Sequence, residues 1–246
     1  MAGAAAERQE SGFVRAIRAA VKRNAGNPVT LIAGKTTVTG VIDARKYTGR
    51  QKSGSEPYTD VQIITQRGKK QQIINCSLKG ESAPSLAGGG MRGLESVVPG
   101  LAKRYMKAVL RHLIERESLR PGDKVPDVYG AISESVKRTI VVGNADMGGP
   151  IDFMYIGPMN VVGKYAANKN TLTVNGDLIP AVQYAKTHSL YFRLRARRED
   201  QRFDPAAMDS TGTPKVYSKS PSRGDSAGRI VVTDQTPGNA IVIRFS

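Results

Sequence analysis

With 246 residues and 37 Lys plus Arg against 21 Asp plus Glu, the chain carries a formal charge of +16, which calls for an anionic partner, and has length for one large domain or two small ones. A hydrophobic content of 39% supports a packed core, whereas zero Trp and 6% aromatics exclude a large base-stacking platform. The single cysteine, Cys76, excludes an internal disulfide and a cysteine-rich zinc knuckle, and points to a reducing or redox-indifferent compartment.

The chain opens on small residues, then places Phe13, Ile17, Ala20 and Val21 at helical spacing with Arg15, Arg18 and Lys22 on another stripe. Residues 1–27 are expected as a basic terminal helix or arm, closed by Asn24 and Gly26, with one side docked and the other facing an anion or solvent. Residues 28–202 are expected to hold the principal domain, open to subdivision near 80–93. Its first part alternates short runs rich in Val, Ile and Thr at 29–33, 37–42, 58–65 and 71–78, which read as strands of a meander or part of a barrel, with a connection at 46–57.

A glycine-dense loop at 81–93 leads to the clearest helix of the chain, 101–117. There the apolar pairs Leu101/Ala102, Tyr105/Met106, Val109/Leu110 and Leu113/Ile114 recur between polar residues. The opposite surface carries Lys103, Arg104, Lys107 and Arg111, placed to cross a phosphate backbone or to face solvent.

Beyond Arg120-Pro121-Gly122-Asp123, residues 133–138 read as a short helix, while 139–142 and 151–156 read as extended, separated by a glycine-rich turn. The Asn175-Gly176 step predicts a tight β-hairpin over 171–178, and Pro180 limits its second strand. Residues 189–196 alternate, with Leu190, Phe192, Leu194 and Ala196 on one side and Tyr191, Arg193 and Arg195 on the other. Arg197, Arg198 and Arg202 extend the basic character, interrupted by Glu199, Asp200 and Asp204. Residues 203–228 are read as a polar loop or arm, and 229–246 as a terminal β-hairpin packed on the main domain or on a neighbour. The expected fold class is α+β, with a mixed or antiparallel β-rich core, an amphipathic central helix and extended loops.

Catalytic chemistry finds little support. Gly34-Lys35-Thr36-Thr37 resembles the end of a phosphate loop, but Val29 occupies the place of its earlier glycine and a strand succeeds it instead of a helix. Gly88, Gly90 and Gly93 match a dinucleotide spacing with no βαβ pattern around them. Asp43, Asp60 and Glu81 would hold magnesium for a nuclease only if folding brought them together. Cys76 would become a nucleophile only with His112 beside it, and its place in an apolar run favours plain packing. No catalytic residue, metal-ligand set or cofactor is therefore expected.

Residues 1–24 hold no apolar run of signal-peptide length, and no stretch is apolar enough over sufficient length to span a bilayer, so secretion is not expected. The leading expectation is a non-enzymatic structural assembly subunit, a homo-oligomer or part of a larger particle such as a virion or phage component or a cytoplasmic assembly. Its basic residues would meet nucleic acid or acidic neighbouring proteins. The alternative is a sequence-nonspecific DNA- or RNA-binding protein, with a metal-dependent nuclease third. The candidate anion-binding residues are Arg15, Arg18, Lys22, Lys103, Arg104, Lys107, Arg111, Arg193, Arg195, Arg197, Arg198 and Arg202.

Overall fold

The computed structural model describes residues 4–50, 56–81, 95, 98–196, 198–222 and 229–245. In chain order these form α1 (Ala4–Arg23), β1 (Val29–Ala33), β2 (Thr36–Lys46), β3 (Val61–Arg67), β4 (Lys70–Lys79), α2 (Leu101–Glu115), β5 (Val128–Ala131), α3 (Glu134–Val142), β6 (Phe153–Ile156), β7 (Gly163–Ala166), β8 (Thr171–Val174), β9 (Asp177–Pro180), α4 (Ala181–Thr187), β10 (Tyr191–Arg195), β11 (Arg229–Thr233) and β12 (Ile241–Ile243). The fold is α+β, with parallel and antiparallel pairings in both sheets. The chain divides into two compact units, residues 1–84 with 141–187 and residues 85–140 with 188–246. Of the predicted loop at 81–93, residues 82–93 lie outside the described residues.

The first unit is an eight-stranded sheet in the order β7-β8-β1-β2-β3-β4-β6-β9. β8 lies one strand in from one edge and β9 forms the other edge, yet only Asn175 and Gly176 separate them in sequence. The sheet must therefore curl until its two ends approach, and Thr36 Oγ1, beside the β1–β2 turn, donates to the Leu178 carbonyl of β9. The predicted hairpin over 171–178 does not form, because β8 pairs with β1 and β7 while β9 pairs with β6. Tertiary contacts turn Asn175-Gly176 into a corner. The Asn175 side chain accepts from Val162 N–H at 2.7 Å and donates to the Asn160 carbonyl at 3.1 Å. Gly176 has φ 87°, and a Cβ there would meet Gly157 Cα at 2.8 Å, so only glycine suits the corner.

α1 covers the curled sheet with the apolar stripe foreseen from its spacing. Phe13, Ile17 and Ala20 are buried against residues such as Leu31, Val41, Ile63 and Leu172, and the Phe13 ring stands edge-on to Tyr155 at 5.0 Å. Full burial of a side chain such as Ile17 contributes roughly 1.5–3 kcal/mol. Gln9, also buried, donates to the carbonyls of Lys79 and Gly157 at 3.1 and 3.0 Å, tying the helix start to β4 and to the residue after β6. Cys76 is fully buried in this core, as its apolar surroundings imply.

The second unit is a four-stranded sheet, β11-β10-β5-β12, with α2 on one face. The terminal hairpin expected over 229–246 is absent. β11 pairs antiparallel with β10, whereas β12 pairs parallel with β5, so the two strands end at opposite edges. Residues 139–142, expected as a strand, complete α3 instead. Their β-branched run is overridden because Val136 and Ile140 share a helical stripe, Ile140 and Val141 are buried, and Lys137 anchors the turn through Glu134 at 2.7 Å and the His188 carbonyl at 2.8 Å. Residues 203–222 lack regular structure but fold back on themselves through bridges Phe203–Tyr217 and Met208–Pro214. α4 begins directly after Pro180 and was not foreseen. Pro180 is accommodated because β9 is an edge strand, where a missing N–H is tolerated.

Candidate polyanion-binding groove

α2 buries Leu101, Ala102, Tyr105, Met106, Val109 and Leu113. The Tyr105 ring packs 5.2 Å from both Phe192 and Phe245, and its hydroxyl donates to the Val128 carbonyl at 2.7 Å. The Glu95 carboxylate accepts from the N–H groups of Gly100 (2.6 Å) and Lys103 (3.0 Å). It thereby satisfies donors that a helix start leaves open and opposes the positive end of the helix dipole.

Arg104, Lys107 and Arg111 occupy positions i, i+3 and i+7 of this anchored helix, so they leave it along one stripe. With Ala108, Arg244 and Phe245 they line an open groove of about 480 Å³. Four cations thus share a small concave surface, and none of them takes part in an ion pair among the described residues. Several cations elsewhere are answered internally: Arg18 by Asp43 at 2.9 Å, Lys46 by Glu10 at 3.5 Å, Lys79 by Asp60 at 3.6 Å and Arg193 by Asp127. Like charges held together without a counter-charge raise the local positive potential and favour an external anion. Two of the four are guanidinium groups on α2 and one is on the last segment, each able to grip a phosphate through paired N–H donors.

The other sequence candidates lie apart from the groove lining. Lys103 projects from a neighbouring stripe of α2 and is exposed. Arg15 and Lys22 lie on α1 in the first unit, Arg15 exposed and Lys22 on the polar stripe, and Arg18 beside them is paired. Phe192 and its partner Gly130 face Tyr105 of α2, so Arg193 and Arg195, at alternate positions of β10, leave the sheet on the opposite face. Arg193 is held there by Asp127, with Nε at 3.0 Å, and its guanidinium carbon lies 5.8 Å from the Tyr129 ring centre. Arg202 donates to the carbonyls of Glu199 and Gln201 at 2.6 and 3.0 Å, Arg198 is half-buried, and Arg197 lies outside the described residues.

No protein family, curated protein or solved structure matches the chain. Its chemistry is therefore read from its own side chains.

Arg244 is the groove residue that sequence reasoning missed. It stands alone among apolar neighbours at the end of the last strand, and only the parallel pairing of β12 with β5 brings it to α2. Two of the three carboxylates weighed for a magnesium site are otherwise engaged. Asp43 holds Arg18, while Asp60 accepts from Ser77 Oγ–H at 3.0 Å and Leu78 N–H at 2.6 Å. Among the described residues no three His, Cys, Asp or Glu side chains gather as a metal-binding group. His112 lies 3.1 Å from Glu117 on α2, and Cys76 is sealed in the core of the first unit. No described helix is long and apolar enough to cross a membrane.

Proposed function

We propose that the protein binds the phosphate backbone of nucleic acid without sequence preference, as a non-enzymatic component of a nucleoprotein assembly. The observation that carries this reading is the convergence of Arg104, Lys107, Arg111 and Arg244 in one groove with no ion-pair partner among the described residues. From Arg104 to Arg111 the helix axis advances about 10 Å at ~1.5 Å per residue, on the order of three phosphate steps of one DNA strand at ~3.4 Å each. The lining offers cations and apolar carbon, with no acceptor set for base edges, and Phe245 is already packed on Tyr105 and Phe192. Backbone contact fits that inventory better than base readout.

The test is fluorescence anisotropy with labelled duplex DNA, single-stranded DNA and RNA over a salt series. Wild-type protein is expected to bind at about 50 mM salt and to weaken linearly in log–log form, losing about 0.9 of slope per duplex phosphate neutralised. Replacing Arg104, Lys107, Arg111 and Arg244 together by Ala is expected to reduce that slope by roughly 3 to 4 and to weaken binding to all sequences alike. Absence of binding by the wild type at low salt overturns the reading.

An assembly role without nucleic acid is the second reading, favoured by the open side of β12. Among the described residues this edge strand pairs only with β5, and Val242 is 46% exposed. Light scattering on purified protein separates the two readings: a defined oligomer that lacks nucleic acid and binds none supports the second.

A further inference from the structure

The tip of the β3–β4 hairpin is a second strongly basic feature, and it belongs to the first unit, whereas the α2 groove belongs to the second. No Asp or Glu occurs between Asp60 and Glu81, whereas Arg67, Lys69 and Lys70 all fall at the turn. Gly68-Lys69 forms a two-residue turn closing the pair Arg67–Lys70, with Gly68 at φ 60°, the geometry glycine supplies at the first turn position. Among the described residues nothing lies within 4 Å of where a Gly68 side chain would begin, so the turn points away from them.

The surrounding strands explain why the tip stands clear. β2 pairs with β3 only as far as Val41–Thr65, and its earlier residues Thr36, Thr37 and Val38 pair with β1 instead. On its other side β4 pairs with β6 only from Cys76 to Lys79. Residues 66–73 are consequently exposed on both faces of a two-stranded ribbon, including Ile73 at 48%. Within it Arg67 and Lys70 are directly opposite in register, and Gln66 faces Gln71 on the other side.

Directly opposed like charges destabilise a β-ribbon, and none of these cations has an ion-pair partner among the described residues. An external anion touching both strands would remove that repulsion. The flanking Gln66, Gln71 and Gln72 are uncharged donors and acceptors, so the surface repels no phosphate. A two-stranded β-ribbon also has the width that a DNA major groove admits.

We propose that the β3–β4 hairpin tip is a nucleic-acid contact in which Arg67, Lys69 and Lys70 engage the phosphates of a duplex. This goes beyond the groove reading, since it concerns different residues in the other unit and stands or falls separately.

The test compares three full-length proteins on one labelled duplex DNA over a salt series: wild type, the tip variant Arg67→Ser/Lys69→Ser/Lys70→Ser, and the groove variant with Arg104, Lys107, Arg111 and Arg244 changed to Ala. The tip variant is expected to bind at least tenfold more weakly at about 50 mM salt and to lose about 2.7 of log–log slope, 0.9 for each of its three charges. Its melting temperature should match or slightly exceed that of the wild type, because the substituted side chains are exposed and mutually repulsive. A wild-type slope in the tip variant overturns the tip proposal whatever the groove variant does. A groove variant that behaves as wild type while the tip variant loses affinity overturns the groove reading and leaves the tip standing. If the tip variant self-associates in light scattering with an unchanged slope, the cations guard the open edge of β4 and the proposal is overturned.

Discussion

At the scale of single residues, burial decides what the reactive-looking groups do. Desolvation in the core, reinforced by the negative charges of Asp152 and Asp60, pushes the Cys76 thiol far above its ordinary value of 9.0. Burial, with Glu81 and Asp177 adding repulsion, likewise lifts the Tyr155 hydroxyl from 10.0 to about 12. The folded state therefore keeps protons that the unfolded chain would release. Stability from these groups is fully present below pH 9.0 and is lost as pH rises past that value, at up to about 1.4 kcal/mol per pH unit for Cys76. Urea unfolding of wild type and Cys76→Ala across alkaline pH checks this. The variant, normalised to its own stability at neutral pH, should decline less steeply, and native Cys76 should resist a thiol reagent until the protein unfolds. The packing role of Cys76 was legible from its apolar neighbours. The internal neutralisation of Arg18 and Arg193 was not, because Asp43 and Asp127 are remote in sequence from the cations they hold.

At the scale of elements, α1 shows how a periodic stripe becomes stability. Phe13 has no exposed surface and touches Tyr155 across the sheet, so Phe13→Ala should destabilise the protein by roughly 3–5 kcal/mol through lost burial and a residual cavity. Arg15→Ala, on the exposed stripe of the same helix, should stay within about 0.5 kcal/mol of wild type, and chemical denaturation measures both. Elements with a clear period, α1, α2, β1 and β10, were legible because one face of each is buried and its spacing records that face. Residues 139–142 and the Asn175-Gly176 step were misread for the same physical reason. Their local preferences, strand for Ile and Val and hairpin for Asn-Gly, were overruled by partners beyond the local segment: burial of Ile140 and Val141, and the hold of Val162 and Tyr155 on Asn175.

At the scale of the whole molecule, neither unit is a contiguous piece of chain. β1 depends on β8 and β4 on β6, yet β6 and β8 come from residues 141–187. A fragment of residues 1–84 would expose two strand edges and the part of α1 that packs on β7 and β8, so it is expected to lack a cooperative unfolding transition in circular dichroism, whereas the full chain shows one. Composition and periodicity determined the α+β class, the basic character, the apolar stripes of α1 and α2 and the cationic stripe that supplies three of the groove's four charges, because each is a property of neighbouring residues. Only the tertiary structure decided which strands pair, which cations are neutralised, that Arg244 joins Arg104, Lys107 and Arg111, and that the Arg67–Lys70 turn stands clear of its neighbours. Those outcomes depend on groups far apart along the chain, and a local pattern holds no record of what folding will place beside it.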